Sequence, residues 1–464
     1  MAAEESGEYF LDLMIRRARE SIGFQPVREG FPSEHAFPAR FSHFSVSLTS
    51  PSGRKYIAMW SSWELHRSDG ESAVSWKKQI PIRLISLLNV LFFFVCCSVD
   101  NKIDKIIENN TEVILNHHKP YQLPNEKSSF SLKEWFSINP ENKDIQNIGL
   151  FAFDRFIVDS QSNIYILDSK PSDNHILKFD KEGRFVRSFG RKGQGPGEIQ
   201  YIRYCSINAK DELGILDDRN QKYLIFNDSA EVIHEIHMDR SIASIDILNN
   251  GNRLIRKTAT LVSGEQEVNV ILCDPQLNEI RTIDKFKSHF TPSGKINGLP
   301  MNNVVRITKN YIYIGSTDRG YDIWVYDLNG KLMRRIKKEF SEVEVLEEYK
   351  INYLKPYNRP ELALIRSRIY FPKSMPPYQT FFVDDHDRLF VMTFESGSNT
   401  NEYLYDVFNP QGVFMKRIGL DNYGHLSPSQ KGYYDLIARN GLLCYIKEEE
   451  NGNQKLVINE IEWR

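Results

Sequence analysis

A strand-and-turn pattern recurs along the chain after residue 146, and it restricts the possible folds more than any other feature. The clearest copy covers Phe156–Asp168 and Ile176–Gly190, where apolar strands alternate with turns rich in Asp, Asn and Gly. In most copies the third strand ends in an Asp or Asn before a turn. These residues are Asp180, Asn227, Asp274, Asp327 and Asn409, at intervals of 47, 47, 53 and 82 residues. Intervals of about 40 to 50 residues are typical of four-stranded propeller blades.

Six copies predict an all-β fold over residues 133–464, a six-bladed β-propeller of four-stranded antiparallel blades. The sixth copy leaves no room for a fourth strand before Arg464. An open edge would expose unpaired N–H and C=O groups, so we expect an N-terminal strand, Trp135–Ile138, to close the last blade. The longest interval contains an insertion at about residues 341–377, in which Glu342–Lys350 is predicted to form a short helix between blades 4 and 5. Five or seven blades are the competing counts.

The segment 77–97 has the order of a bacterial export signal. Basic residues precede 12 uncharged residues, Leu84–Val95, and Cys96 and Cys97 follow. As a helix the uncharged run would span about 18 Å, short of the roughly 30 Å hydrocarbon core of a bilayer. It therefore fits the hydrophobic part of a signal peptide better than a transmembrane helix. The segment resembles a lipoprotein signal, which implies lipidation of Cys97; an uncleaved signal anchor is the alternative.

The flanks of this segment are predicted to carry no domain. Residues 1–76 show no clear apolar periodicity, and a signal should begin a chain. We therefore predict a non-native, disordered upstream extension, with a genuine N-terminal domain as the alternative. Residues 98–132 are polar and rich in turn formers, which predicts a tether between the membrane and the propeller.

One loop carries a family resemblance. The sequence from Gly190 to Glu198, Gly-Arg-Lys-Gly-Gln-Gly-Pro-Gly-Glu, resembles the loop between blades of NHL-repeat propellers. With the signal and the N-terminal strand, residues 135–464 resemble the six-bladed propeller lipoproteins of Gram-negative gut bacteria. The resemblance implies a membrane-anchored protein of the bacterial cell envelope, at the outer membrane or the periplasmic face. It implies no chemistry.

Charge and cysteine content exclude several classes of protein. The formal net charge is −2, from 59 basic and 61 acidic residues, so no nucleic-acid partner is predicted. Cys205, Cys273 and Cys444 stand among apolar neighbours without a C-x-x-C pair, which predicts buried strand residues.

Gly193, Gly195 and Gly197 do not match a phosphate-binding loop, and Pro196 removes one backbone donor. These glycines are predicted to form a structural crossing between blades.

No catalytic motif is present in the sequence. The histidines are scattered, and the acidic runs Asp217-Asp218 and Asp384-Asp-His-Asp387 coincide with turns, where Asp bonds the local backbone. No metal or cofactor is predicted, and Ca²⁺ enters only under the enzyme alternative.

The remaining expectation concerns the central channel of the propeller. Four polar residues near the predicted starts of inner strands are expected to line it: Asp154, Arg203, Arg306 and Tyr433. The chain is therefore predicted to be a binding module for a peptide, a glycan or an envelope protein. The alternative is a metal-dependent enzyme, a lactonase-like hydrolase or a lyase, with its site in the channel. A scaffold for an envelope complex is a third possibility.

Overall fold

The chain divides into two units, residues 1–98 and 99–464. The computed structural model describes residues 40–49, 55–64, 103–121, 129–150, 154–168, 173–260, 266–287, 294–299, 303–399, 402–421, 436–449 and 452–463. The segment 77–97, Cys97 included, lies outside the described residues. Among those described, no helix has the length and apolar character needed to cross a membrane.

The first unit contains a two-stranded hairpin. Strand β1 (Arg40–Thr49) pairs antiparallel with β2 (Lys55–Glu64). This differs from the expected absence of structure in residues 1–76. Phe44, Val46 and Leu48 alternate with serines, and this period of two is that of a strand.

The second unit contains six propeller blades, as predicted. Three strands precede blade 1: β3 (Asp104–Glu108), β4 (Thr111–Asn116) and β5 (Phe130–Ile138), with a short helix α1 (Lys143–Asn147) after them. Blade 1 holds β6 (Arg155–Val158), β7 (Ile164–Leu167), β8 (Asn174–Phe179) and β9 (Phe185–Arg191). Blade 2 holds β10 (Ile202–Ile207), β11 (Leu213–Asp217), β12 (Lys222–Phe226) and β13 (Val232–His237). Blade 3 holds β14 (Ile242–Ile247), β15 (Arg253–Thr260), β16 (Gln266–Cys273) and β17 (Glu279–Lys287).

The other three blades follow a short strand β18 (Ile296–Asn297). Blade 4 holds β19 (Asn303–Ile307), β20 (Tyr311–Ser316), β21 (Asp322–Asp327) and β22 (Leu332–Lys338). The insertion contains α2 (Glu347–Leu354), α3 (Ala363–Arg366) and β23 (Ile369–Tyr370), and β23 pairs parallel with β18. Blade 5 holds β24 (Thr380–Val383), β25 (Leu389–Ser396), β26 (Glu402–Phe408) and β27 (Phe414–Asp421). Blade 6 holds β28 (Ile437–Arg439), β29 (Leu442–Glu448) and β30 (Gln454–Trp463), and β5 is its fourth strand.

Each pair of neighbouring blades has its own apolar core. The described residues form six buried clusters, one at each interface between blades, including the interface that joins blade 6 to blade 1. Strand β11 shows how this arises: Ile215 packs towards blade 1, and Leu216 packs towards blade 3. Successive side chains on a strand point to opposite faces. The inner strands are therefore apolar on both faces, which explains the weak alternation in the sequence.

The recurrent Asp and Asn residues hold the turn between the third and fourth strands. In blade 1, Oδ1 of Asp180 accepts hydrogen bonds from the backbone N–H groups of Glu182 (3.0 Å) and Arg184 (2.9 Å). The same type of bond recurs in blades 2 to 5, at Asn227, Asp274, Asp327 and Asn409. A short polar side chain that mimics a turn of backbone is favoured here. The periodicity in the sequence is therefore a periodicity of turns.

Strand β5 closes the ring, as predicted from the missing fourth strand. It pairs antiparallel with β30 from Ile138 opposite Leu456 to Phe130 opposite Trp463. It is longer than the predicted Trp135–Ile138. Ile138 is buried in the cluster between blades 6 and 1, so closure also completes an apolar core.

Part of the expected tether is a folded hairpin. Strands β3 and β4 pair antiparallel, and β4 pairs parallel with β22, so blade 4 becomes a six-stranded sheet. Asn109 and Asn110, with φ values of 50° and 62°, form the turn, and two consecutive left-handed residues are typical of tight hairpins. Val113 and Ile114 are fully buried. The polar composition concealed a short apolar strand after an Asn-Asn turn.

Asn116 fixes this hairpin to two blades. Its Nδ2 donates to the carbonyls of Lys337 and Gly412, both at 3.0 Å. Its Oδ1 accepts from the N–H of Phe414 at 2.7 Å. One buried amide therefore joins the hairpin to blade 4 and to blade 5.

The insertion between blades 4 and 5 contains helices, as predicted, but the first begins later. The expected helix included residues 342–346. These residues are extended instead, since Val345 donates its N–H to Lys373 O and Met375 donates to Val343 O. Val343 and Val345 alternate with glutamates, a pattern that favours an extended strand.

His117, which directly follows β4, makes the docking of the β3–β4 hairpin on blade 4 sensitive to pH. Its Nε2 lies 2.7 Å from Asp104 Oδ2, and its Nδ1 lies 3.1 Å from Glu339 Oε1. These hydrogen bonds, to Asp104 first and then to Glu339, raise the pKa of His117 above its ordinary value. The protonated His117 stabilises the docked hairpin. This stabilisation is fully present below the pKa of histidine in the unfolded chain, about 6.5, and is lost as the pH rises through the raised pKa of His117 in the folded protein.

We therefore expect hydrogen exchange of the β4 amides, corrected for intrinsic rates, to be faster at pH 8 than at pH 6. The side chains are about half exposed, so the change should be small and local. The variant His117→Gln should lose the pH dependence, and an unchanged dependence in that variant would contradict the assignment.

Candidate functional site

The first strands of all six blades surround a central cavity of about 530 Å³. Each blade contributes the second-to-last residue of its first strand and residues of the turn that follows. The equivalent strand residues are Ile157, Ser206, Asp246, Arg306, Phe382 and Ala438. The wall therefore combines apolar, hydroxyl, acidic and basic groups, and a volume of this size accommodates a small molecule.

A ring of hydrogen bonds links neighbouring blades at the turns after the first strands. Within the described residues, each of the six interfaces has at least one such bond. The pairs are Ser160–Asp211, Ala209–Asn249, Asn249–Lys309, Asn310–Asp387, Asp385–Gly441 and Asn440–Asp159. Several of these residues also line the cavity. The ring therefore holds the mouth of the cavity on this face at a fixed width.

Arg439 joins three blades at this mouth. Its guanidinium donates to the carbonyl of Val158 at 2.8 Å and to that of Asn208 at 3.4 Å. Burial lowers the pKa of Arg439 from its ordinary value, while Asp211, Asp385 and Asp159 oppose this shift at longer range. Its position on the last blade and its two carbonyl acceptors on blades 1 and 2 indicate a part in closing the ring.

Tyr204 and Asp246 form a polar pair on the cavity wall. The Tyr204 hydroxyl donates to Asp246 Oδ1 at 2.7 Å. The guanidinium carbons of Arg155 and Arg256 lie 5.9 Å and 5.3 Å from the centre of the Tyr204 ring, within the range of cation–π contact. Arg256 also donates to the Ser244 hydroxyl. Strands of three blades thus hold the Asp246 carboxylate in place.

The four residues predicted to line the channel are not all brought together. Arg306 lines the cavity. Asp154 is exposed just before β6, and Arg203 pairs with Asp218 at 2.7 Å; the cavity lining includes neither of them. Tyr433 lies outside the described residues. The pairing of β10 with β11 is regular from Tyr204 to Ile207, so Tyr204 lies on the cavity face with Ser206, and Arg203 is one residue out of step with that face.

The residues that sequence reasoning missed are Tyr204, Asp246 and Arg439. Asp246 stood out in the sequence as a lone acid within the apolar run Ile245-Asp-Ile-Leu248. A charged residue in the middle of a buried strand requires a partner or a role, and this was the available signal. Arg439 gave no comparable signal, because Arg-Asn-Gly is an ordinary turn sequence.

The glycine-rich loop joins β9 to β10, and carboxylates occupy its backbone donors. Gly195 donates its N–H to Glu198 Oε2 at 2.9 Å, and Gly197 donates to Glu235 Oε2 at 2.7 Å. The Gly197 bond is the main cause that lowers the pKa of Glu235. A Cβ on Gly193 would lie 1.9 Å from Glu198 Oε2, so a larger residue there would displace the carboxylate that accepts the Gly195 N–H. These contacts stabilise the connection from the last strand of blade 1 to the first strand of blade 2, which is a structural part.

The acidic runs hold turns and pair with neighbouring residues. Asp217 accepts the N–H groups of Gln200 and Tyr201, and Asp384 pairs with Arg388 at 2.7 Å. Burial raises the pKa of Asp385. Across the described ranges, no group of three or more His, Cys, Asp or Glu side chains is placed to hold a metal ion.

The three described cysteines are buried and unbonded. Burial raises the pKa of Cys273 to about 11 and that of Cys444 to about 12. A thiol with a raised pKa is a poor nucleophile. These residues therefore act as small apolar side chains in their blades.

A comparison with protein families agrees with the fold. The family DUF5128, described as a 6-bladed beta-propeller, matches residues 154–301. None of the curated proteins matches the chain. Similar solved structures include a protein described as exported from Bacteroides fragilis, with 14% identity, 76% of this chain and 99% of that chain covered, and a TM-score of 0.42.

Two further solved structures have comparable coverage. A member of the DUF4221 family from Bacteroides vulgatus has 11% identity over 74% of this chain and 100% of that chain, with a TM-score of 0.44. Virginiamycin B lyase from Staphylococcus aureus has 9% identity over 72% of this chain and 100% of that chain, with a TM-score of 0.35. At these identities and scores no activity is assigned to this chain. The chain is a six-bladed β-propeller, and residues 154–301 are similar to the family DUF5128.

Proposed function

We propose that this protein is a binding module of the bacterial cell envelope and that its ligand occupies the central cavity. The observation that carries the proposal is the cavity wall, to which all six blades contribute and which combines polar and apolar groups. A concave site with a few placed polar groups is the usual form of a small-ligand site. The predicted ligand classes are glycans, peptides and segments of envelope proteins.

The envelope location rests on the sequence of residues 77–97. Its basic start, its short apolar run and Cys97 resemble a lipoprotein signal. The proposed anchor is a lipid on Cys97, and radiolabelled palmitate incorporation that is lost in Cys97→Ala would support it. No incorporation in the unaltered protein would contradict the lipid anchor.

A substitution at the mouth of the cavity tests the binding site. Ala209 is exposed and lines the cavity, so Ala209→Trp should fill the mouth without disturbing a core. In a calorimetric screen of glycans and peptides, we expect a ligand whose affinity this variant lowers at least about tenfold. Lys181→Trp, at an exposed turn of blade 1 outside the cavity lining, is the matched control and should bind normally. Equal binding by both variants would place the ligand elsewhere.

Metal content separates this proposal from the metal-dependent enzyme. The purified protein is dialysed without chelator and its metal content is measured. One equivalent of Ca²⁺ or Zn²⁺, lost when cavity carboxylates are replaced, would favour a hydrolase or a lyase. A content far below one equivalent is expected for the binding module.

A further inference from the structure

We infer that the central cavity selects a small hydroxylated carboxylate, and that Arg306 is the residue that binds the carboxylate group. The inference rests on the proposed binding function of the cavity. It follows from the charges that the cavity wall leaves without partners.

Two cations of blade 4 that line the cavity lack acidic partners among the described residues. Arg306 and Lys309 both line the cavity. Among the described residues, the one hydrogen bond of the Arg306 guanidinium is to the carbonyl of Val305 at 3.1 Å. Among the described residues, no carboxylate lies within ion-pair distance of Arg306 or Lys309, whereas Arg203 and Arg417 each pair with an acidic side chain.

The carboxylates on the same wall are already engaged. Asp246 accepts the Tyr204 hydroxyl, Asp384 pairs with Arg388, and Asp385 accepts the N–H of Gly441. Arg388 lies outside the cavity lining, so its pairing with Asp384 removes one negative charge from the wall. The group left to be satisfied by a ligand is therefore cationic.

The chemistry of Arg306 favours a planar oxyanion. A guanidinium presents a rigid fork of N–H donors that matches a carboxylate in a bidentate manner. Arg306 is half-buried, so the interaction is stronger than a surface ion pair. Lys309 is exposed at the turn, where it adds a longer-range attraction that salt screens.

The other polar groups of the wall suit hydroxyl groups on the ligand. Thr308 Oγ1 accepts the N–H groups of Asn310 and Tyr311 and can still donate its hydroxyl proton, and Asn440 donates its Nδ2 to Asp159 O and can still accept at Oδ1. Neutral donor and acceptor groups near the Arg306 guanidinium fit a small hydroxylated acid. A sugar acid and the carboxylate of a short peptide share the group that Arg306 would bind, and the choice of probes distinguishes them.

The experiment is isothermal titration at low salt with D-glucuronate, D-galacturonate, D-glucose and N-acetyl-Gly-Gly as probes. We expect a sugar acid to bind and D-glucose to bind at least about tenfold more weakly. Arg306→Ala should lower the affinity for the acid about 10- to 100-fold. Arg306→Lys keeps the positive charge and should lower this affinity less. Arg359→Ala, at an exposed arginine of the insertion, is the matched control and should bind normally.

Thermal unfolding shows whether the effect is structural. A guanidinium without an acidic partner contributes little to folding, so Arg306→Ala should unfold at the same temperature as the unaltered protein or higher. A lower unfolding temperature together with weaker binding would assign Arg306 a structural part and overturn the inference.

The outcomes separate this inference from the proposed function. If D-glucose binds as tightly as the sugar acids and Ala209→Trp blocks its binding while Arg306→Ala does not, the cavity is a binding site and the anion assignment is wrong. If N-acetyl-Gly-Gly binds in preference to both sugar acids, the ligand is not a hydroxylated acid, although Arg306 would still bind its carboxylate group. If no acid binds at concentrations up to about 10 mM, the inference fails.

Discussion

Replacement of Asp406 by asparagine is expected to lower the free energy of unfolding by about 3 to 5 kcal/mol. The Asp406 side chain is fully buried between blades 4 and 5 and accepts from Arg417 Nε at 2.8 Å and from the Tyr321 hydroxyl at 2.9 Å. Lys338 Nζ lies 3.5 Å away, and its side chain is also fully buried. The substitution leaves this ammonium without a counter-charge, and a buried unpaired charge is among the most costly defects.

Equilibrium unfolding in urea measures the loss. Glu182→Gln removes a partner from the exposed pair with Arg184 and should change the free energy of unfolding by no more than about 0.5 kcal/mol. The double variant Lys338→Met with Asp406→Leu removes both buried charges and should recover much of the stability. A loss below about 1 kcal/mol in Asp406→Asn would show that the network does not support the interface.

The pH dependence of the Asp406→Asn defect has a defined sign. Burial already lowers the pKa of Lys338, and loss of Asp406 removes the main group that opposes this shift. Below the unfolded lysine pKa of about 10.4, the unfolded state then binds more protons than the folded state, so stability rises with pH. The deficit of the variant should shrink between pH 8 and pH 10.

Ile138→Asp is expected to have an effect of similar size, about 4 kcal/mol or more. Ile138 is 3% exposed in the cluster between blades 6 and 1, and the substitution places an unpaired carboxylate there. Ile138 belongs to β5, which is the fourth strand of blade 6. We therefore expect the defect to weaken ring closure as well as the core.

Ser137→Asp is the matched control, since the neighbouring residue is exposed on the other face of β5. Its free energy of unfolding should lie within about 0.5 kcal/mol of that of the unaltered protein. Both variants are compared by urea unfolding and by hydrogen exchange of the β30 amides. Equal destabilisation by the two substitutions would mean that strand pairing, rather than the buried side chain, dominates closure.

Local chemistry made the fold predictable from the sequence. Asp180 and its equivalents mark one turn in each of blades 1 to 5 because each side chain accepts the backbone N–H four residues later. Closure by an N-terminal strand followed from the missing strand of blade 6. The β3–β4 hairpin was missed because β3 is exposed and polar; its stability depends on Val113, Ile114 and Asn116, which bury against a blade more than 200 residues away.

The candidate site was less predictable because small changes of register decide it. Arg306 was expected at the channel and lies there. Arg203 was expected on the same grounds, but Tyr204, one residue later, lies on the cavity face with Ser206. The sequence does not show which of two neighbouring residues faces the channel, and it does not show that Asp246 has a tyrosine partner on the neighbouring blade.

The pairing of Phe130 with Trp463 brings together the two ends of the propeller's chain. Their rings are 5.1 Å apart, and adjacent strands are about 5 Å apart. A short peptide linker could therefore join these ends covalently, and new ends could be opened at an exposed turn between other blades. Such a circular permutant would lack the β3–β4 hairpin and keep every strand pairing within the six blades, while changing which blade is made first. The order of blades along the chain is thus separable from the architecture of the ring.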